Sequence, residues 1–550
     1  MQLNWSSAQH KFMVGSSVDS SDTDFDTGQR LGLMDASHRV YLDPTGISPV
    51  FVAAQEAIHN NSFVGKSSTF AGYVSETFSP KDNLHVNVAG RFNHTEVNNQ
   101  LKARTRAGVD SLHNILDLNR YRPTVTVCQG TDPALCGNTP NYNLRANWDK
   151  DVLLSQDPYY GLGRYSETPT AERFTYNSFN PSFGLSYLPF KNTQMAMNDL
   201  NGFFNWSQGT RTPSSVELGC AYDGTLVPQT AGDPNSPSIP KSLASIGGAC
   251  TLPTSLSGDP FLPQIFANSF EVGMRGTMFK QWQWNSSVYR TELQDDIYLV
   301  GITASRSFFD TIGDTRRQGI ELGFSGQLGR VDLRVNYGLT EATFQSNLFM
   351  LSPHNSSAAI STPLEPQYDS SGRPLEAITD MIHIQPGDRM PGIPLHNLNI
   401  AVNLHATQKW EIGVSMVAHS SSFVRGNENN AHSQGAYEYI ERPNSTGTGL
   451  ELLRLRQFTD AGSVSGYVVF NLKSRYQLSK EFSVFGMVNN LFDSQYASAG
   501  RLGINPFSPS EKGAIGTSGW NYNSNDWLNT TLIGPGAPRA YWVGLDYHFE

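Results

Sequence analysis

Apolar and polar residues alternate with a period of two along much of the chain. Leu84, Val86, Val88 and Phe92 alternate with His85, Asn87, Ala89 and Arg91. Val331, Leu333, Val335 and Tyr337 do the same against Asp332, Arg334 and Asn336. Leu398, Ile400, Val402 and Leu404 stand against Asn397, Asn399, Ala401 and Asn403, and Val468, Phe470, Leu472 and Tyr476 against Asn471, Lys473 and Arg475. Side chains leave a strand on opposite sides in turn, so this period predicts strands with one apolar and one wet face. The wet face carries charges and amides as well as Ser and Thr, as the lining of a water-filled lumen does. About fourteen strands are legible this way, with one or two weaker ones around Lys11–Ser17 and Arg39–Leu42. Near the C-terminus, Tyr541, Val543, Leu545, Tyr547 and Phe549 face away from Trp542, Gly544, Asp546 and His548. Such a segment suits the closing strand of a barrel or an edge strand of a soluble sandwich.

The connections separate those two architectures. Short links fall near Pro80–Asn83, Lys280–Gln281, Gln327–Arg330, Ala406–Lys409 and Leu478–Glu481. Between them lie long Gly/Pro/Asn/Ser-rich segments, roughly 97–170, 209–266, 297–314, 346–394, 422–462 and 492–538. Compact domains seldom hold one structureless connection above ~15 residues. Regular alternation of short and long matches an outer-membrane barrel, with short periplasmic turns and long extracellular loops. The expected fold is all-β, an antiparallel transmembrane β-barrel.

Composition changes this picture little and excludes several others. Of the 550 residues 16% are charged, against ~25% in ordinary soluble domains, while 11% are aromatic and 49 are glycine. Mean hydropathy is −0.37, and no run of ~18 uncharged apolar residues occurs, which excludes membrane-spanning helices but not strands. A net charge of −10 argues against a nucleic-acid partner. There is no Gly-x-Ser-x-Gly elbow, and His85, His396 and His548 have no evident catalytic partners, so neither an enzyme nor a cofactor is expected. The first residues, MQLNWSSAQHKFMVG, lack the basic, apolar and small-residue regions of a signal peptide.

Cys128 and Cys136 lie in one long connection, Cys220 and Cys250 in another. Two per connection reads as two local disulfides in an oxidising compartment. A thiolate metal site is the competing reading. It needs more ligands than two Cys, and neither connection offers a Cys-x-x-Cys pair or closely spaced His.

Several segments resemble TonB-dependent outer-membrane receptors. NNLFDSQY (Asn489–Tyr496) and PGAPRAYWVGLDYHF (Pro535–Phe549) are similar to that family's penultimate-strand signature and its Pro-Arg entry into the last strand. Upstream, SQGTRTPSSVEL (Ser207–Leu218) resembles its Gly-x-Arg-x-Pro stretch and NSFEVGMRG (Asn268–Gly276) its Glu-x-Gly strand. IGDTRRQGIELG (Ile312–Gly323) is similar to its Gly-x-x-Arg-x-x-Gly-x-Glu segment, and GIPLHNLNI (Gly392–Ile400) to its Pro-x-His strand entry. VRGNENN (Val424–Asn430) resembles a loop segment of these receptors. The matches keep family order from about residue 170 onward; earlier residues match only in strand pattern. The chain departs at Thr311, where the family usually has Asn, at Gln264, where it has Glu, and at Glu550, one residue past the expected terminal aromatic.

The resemblance implies a receptor in the outer membrane of a Gram-negative bacterium, importing a scarce large solute with energy from the TonB–ExbB–ExbD complex. Ferric siderophores are the commonest such solute; cobalamin, other metal chelates and glycans are alternatives, as is a passive porin. Other implied partners are outer-membrane lipid and the barrel-assembly machinery. Family members carry a signal peptide, a TonB-contacting box and a plug inside a barrel of about 22 strands. Nothing here resembles box or plug, and about 14–16 strands leave the barrel incomplete, so residues 1–550 are expected to form one partial barrel domain. In the long connections, Arg425, Tyr437, Tyr439, Arg454 and Arg456, and Trp520, Tyr522 and Trp527, are the candidate ligand contacts. Aromatics pack on ring faces and arginines hold anions; the other reading is that these side chains pack the loops together. Glu271 and Glu321 are expected to face inward, as ion-pairing groups or as solvated lumen charges, while Tyr187, Tyr337 and Tyr476 read as interfacial aromatics. No His occurs between His113 and His354, so the region after the Arg-x-Pro stretch offers no axial ligand to haem.

Overall fold

The computed structural model describes residues 1–30, 32–46, 58–103, 124–128, 136–140, 170–191, 199–219, 226–228, 238–240, 262–279, 281–303, 306–358, 380–443, 450–510, 513–516, 518–521, 523 and 527–548. One sheet of 15 strands dominates, each strand antiparallel to its neighbours in chain order. The first five are β1 (Gln2–Ser6), β2 (His10–Gln29), β3 (Ile58–Lys81), β4 (Leu84–Ala103) and β5 (Thr170–Tyr187). Next come β6 (Asn201–Arg211), β7 (Ile265–Met278), β8 (Trp282–Gln294), β9 (Thr315–Leu328) and β10 (Val331–Phe344). The last are β11 (His396–His405), β12 (Trp410–His419), β13 (Tyr467–Gln477), β14 (Phe482–Asn489) and β15 (Ala540–Tyr547).

Register keeps like beside like. Ile320, Leu322 and Phe324 of β9 oppose Leu339, Tyr337 and Val335 of β10, while Glu321, Gly323 and Ser325 oppose Gly338, Asn336 and Arg334. A slip of one residue would turn every apolar side chain inward, so the pattern fixes the pairing. On the outer face Val272 is 52% and Val543 83% exposed. A continuous exposed apolar band is a lipid-facing surface. Trp410 and Tyr476 pair across β12 and β13 and, like Tyr187 and Tyr547, stand exposed at the strand ends on the short-turn side of the sheet, as an aromatic girdle does. Tyr337 shares a 2.8 Å hydrogen bond with His396 Nδ1 at the start of β11.

Short connections gather at one end of the sheet and long ones at the other. The long ones carry two-stranded sheets of their own, among them Ile297–Thr303 with Arg306–Thr311 and Ala497–Asn505 with Leu528–Pro535. Two sequence expectations need adjustment. Lys11–Ser17 is no weak strand but part of the 20-residue β2; its far half, DSSDTDFDTGQ, is polar on both faces and so carries no alternation. Arg39–Leu42 gives only a two-residue strand, Val40–Tyr41, in a side hairpin off the main sheet. Its neighbours Asp43 and Pro44 stop the ladder.

β1 and β15 do not pair with each other. Both run toward the short-turn end, so antiparallel closure between them is unavailable, and the barrel is open. The sheet nevertheless curls far enough for its two flanks to touch. His38, after β2, shares a 3.0 Å hydrogen bond with the Ser518 carbonyl, before β15, and its ring lies 4.5 Å from that of Phe507.

Candidate functional site

The long-connection end is a folded assembly. Val300, Ile312, Ala342, Phe344, Met350, Ala358, Ile382, Ile384 and Met390 form an apolar core there, drawn from the end of β10 and the connections after β8 and after β10. Beside it the segment 424–430, after β12, ties four connections together. Its backbone receives Leu502 N–H at 2.8 Å on the Arg425 carbonyl, and Arg425 N–H donates to Gly500 at 3.1 Å. Gly426 sits at φ +95, and a Cβ there would meet Leu502 Cβ at 3.0 Å, so only glycine fills the position without strain. Its carbonyl accepts from Ser352 Oγ at 2.7 Å and Asn355 Nδ2 at 2.8 Å. Asn430 clamps Arg389 from both sides, accepting its N–H at 2.7 Å and donating to its carbonyl at 2.9 Å.

Glu428 is the buried acid of this hub, 1% exposed. Its Oε1 accepts from Tyr298 Oη at 3.2 Å and Gly426 N–H at 3.1 Å. Burial pushes the Glu428 carboxyl above the usual carboxylate range, against the pull of Gly426 N–H and Arg425. Burial also raises the Tyr298 phenol. The Arg425 guanidinium lies 5.2 Å over the Tyr298 ring and donates to the Leu299 carbonyl.

Arg425 also pairs with Arg501 in a parallel bridge. Paired residues of parallel strands project to the same side, so two exposed arginines share one face of the assembly. The Arg501 guanidinium has no hydrogen bond or ion pair among the described residues. The sequence reading missed Arg501, Tyr298 and Glu428. VRGNENN marked the segment, but nothing local marks its partners.

The other candidates scatter. Tyr437 opposes Gln457, and Tyr439 opposes Arg454, in the hairpin Tyr437–Pro443 with Leu450–Gln457. The side chains of Tyr439, Arg454 and Arg456 lie outside the described residues, as does Tyr522. Trp520 and Trp527 pack edge to face at 5.5 Å, Trp520 meets Phe507 at 5.7 Å, and Trp527 Nε1 donates to the Asn521 carbonyl at 2.8 Å. Through Phe507 this aromatic chain reaches His38. Cys128 stands directly opposite Cys136 in the strand register; Cys220 and Cys250 lie outside the described residues.

On the inner wall, Glu271 accepts from Asn205 Nδ2 at 3.3 Å. Neither Glu271 nor Glu321 makes an ion pair among the described residues. The inner glycines make room for neighbours on the wall itself: a Cβ at Gly323 would meet Asn285 Oδ1 at 2.1 Å. A cleft of about 680 Å³ is lined by Gln283, Asp332, Arg334, Asn403, Ser415 and Lys473. The Arg-x-Pro stretch ends in a one-turn helix, Ser215–Gly219. Ser214 and Glu217 form a reciprocal cap at 2.7 and 3.2 Å, and Arg211 grips Glu217 with two bonds at 2.7 and 2.9 Å. Leu218 buries this turn against Val97, Leu262 and Ile265.

A family profile described as TonB dependent receptor-like, beta-barrel, matches residues 2–491. The chain belongs to this family. Among solved structures, the ferric-catecholate import receptor Fiu of Escherichia coli K12 is 14% identical, with a TM-score of 0.50 over 100% of this chain and 53% of its own. The siderophore receptor PiuA of Acinetobacter baumannii is 10% identical, with a TM-score of 0.50 over 99% of this chain and 54% of its own. These likenesses concern the fold, and the chain spans about half the length of either protein. No curated protein sequence matches it. A TonB-dependent receptor barrel stands in the outer membrane, and the family consists of transport receptors rather than enzymes.

Proposed function

We propose that the receptor built on this barrel captures a scarce, large, anionic solute at its long-connection end, a ferric siderophore first of all, and imports it. The observation that carries this reading is Arg501, exposed and without a side-chain partner among the described residues, bridged through its backbone to the equally exposed Arg425. A guanidinium with its donors open, beside a second cation, suits a chelate with several negative oxygens. Tyr437, Tyr439, Arg454, Arg456, Trp520, Tyr522 and Trp527, in the same group of connections, supply further cationic and aromatic surface. In this reading the long connections face the outside, TonB–ExbB–ExbD supplies energy, lipid surrounds the apolar band and the barrel-assembly machinery inserts it. That two proteins of the same fold are receptors for a ferric catecholate and a siderophore makes iron chelates the first solutes to try.

Growth on single iron or cofactor sources, with and without the full gene, tests this directly. Loss of growth on one ferric chelate, restored by the gene but not by its Arg501→Ala variant, is the expected result. An unaltered iron-limited phenotype would sink the siderophore proposal and leave cobalamin, other chelates or glycans. Uptake that survives collapse of the proton-motive force would instead indicate a passive porin. Cys128–Cys136 is proposed as a disulfide across its hairpin, since directly opposed strand residues bring their Cα atoms within bridging range. A local bridge Cys220–Cys250 goes with it; mass spectrometry finding four free thiols in natively prepared protein would overturn both.

A further inference from the structure

We propose that Glu428 is a proton-held latch: its protonated carboxyl fastens the segment 424–430 to the hairpin Ile297–Thr311, and loss of that proton lets them part. The geometry argues for it. Both donors that reach Glu428 among the described residues, Tyr298 Oη and Gly426 N–H, bond the same oxygen, and Oε2 has no partner among them. A carboxylate offers about four lone-pair sites, and leaving half of them dry in a buried place is costly for the charged form. With no counter-ion beside it among the described residues the neutral acid costs less to bury, Oε1 serving as its carbonyl while the Oε2 hydroxyl, unpaired in either form, loses only a neutral donor's hydrogen bond. The nearest cation does not supply the missing contact. Arg425 is engaged with the Tyr298 ring and the Leu299 carbonyl, and it makes no ion pair with Glu428.

The sign follows from linkage. Burial raises the closed-state value above the open one, so the closed latch holds a proton that the open one has released. Closure is therefore complete below the ordinary value of 4.5 and weakens as pH rises toward the closed-state value. Across that interval each pH unit weakens it by up to ~tenfold.

Other titratable and charged groups surround the hub and must be separated from Glu428. On the hairpin side stand Tyr298, Asp310 and the pair Asp296–Arg317; on the connection after β10, His383, Asp388 and Arg389; on the last connection, Arg501. Within its own connection are Arg425, His432 and Asp460. His432 and Asp460 are both shifted downward, so they titrate on the acid side. Burial shifts Asp310 and Asp388 upward, and these two are the competitors.

The test is hydrogen exchange of the full chain in outer-membrane vesicles across the range from mildly acid to mildly alkaline pH. Amides of 297–303 and 424–430 in the wild type are expected to lose roughly tenfold or more in protection per pH unit over part of this range, beyond the intrinsic exchange rate. Glu428→Gln, which keeps the neutral shape, should stay protected throughout. Asp310→Asn and Asp388→Asn should open as the wild type does. Opening of Glu428→Gln in step with the wild type would overturn the latch, as would a wild type whose protection does not change with pH; the second outcome holds even where Glu428→Gln fails to fold. No transported solute enters the measurement, so its failure is separate from that of the transport proposal.

Discussion

The wall of the barrel and the connections above it use the same apolar residues to opposite ends. In the wall, Val272, Met274, Val288 and Leu545 each show half or more of their surface to the surroundings. At its rim and above it, Phe344 at the end of β10, Ile382 and Ile384 are 0% exposed and Phe458 is 1%. Lipid tails are as apolar as a leucine side chain, so the wall gains nothing by hiding its outer face. It is held by its hydrogen-bond ladder, which pairs each strand with its neighbours along the sheet. The long connections stand in water and need an ordinary core, with polar hubs such as 424–430 to join the pieces. One chain is thus built for two solvents, and the boundary lies where the strands end.

Substitutions in the two regions should therefore fail in different ways. The largest effect is expected for Phe344→Ala, which empties the centre of the connection core and should cost ~3–5 kcal/mol there. Limited proteolysis should cut the connections after β8 and β10 while the wall keeps its resistance to urea. Equal loss in both regions would mean that they are a single cooperative unit. Next is Leu322→Arg, midway along β9 on the lipid face, which should cost ~2–4 kcal/mol. One position away, Glu321→Arg on the wet inner face should stay within ~0.5 kcal/mol. The amount of folded, heat-modifiable barrel in outer membranes measures both, and similar losses would contradict the assignment of the two faces.

The wall was largely legible in the sequence because its organising rule is local. Period-two alternation, short turns and the order of family segments all lie within a few residues of one another. The rule fails where both faces are wet: the far half of β2 is invisible for that reason. The hub was hardly legible. Glu428 meets Tyr298 across 130 positions, and Asn355 meets Gly426 across 71. A polar loop gives no local sign of burial, so nothing in VRGNENN marks Glu428 as a buried acid. Arg425 was singled out, but its neighbour Arg501 was not, because only a parallel bridge between distant loops brings them together. For Trp520 and Trp527 the sequence leaves ligand contact and loop packing open, and the structure packs the two rings edge to face against each other.

A smaller effect, ~1–3 kcal/mol confined to the connections, is expected for Asn430→Ala, which leaves the backbone N–H and carbonyl of Arg389 without these two partners. Hydrogen exchange at the Arg389 amide reads it, and unchanged protection would mean that water replaces the clamp.

The smallest effect separates, by pH, the buried Glu428 from the half-buried Asp460. Asp460 is partly desolvated, which by itself would raise it, but Thr530 Oγ1, Thr531 N–H and Thr459 Oγ1 all donate to it and hold it below 3.8. Its contribution is present above the ordinary carboxyl value and is lost as pH falls through the lowered one, the reverse of Glu428. The contact between 459–460 and 530–531 should therefore loosen only in strong acid, where the Glu428 contact is tightest. Exchange at the Thr531 amide, followed downward in pH, should show this limb in the wild type and lose it in Asp460→Asn. A limb that persists in Asp460→Asn would assign it to other carboxyls. The wall, whose strands are joined by backbone ladders that do not titrate, should show neither limb.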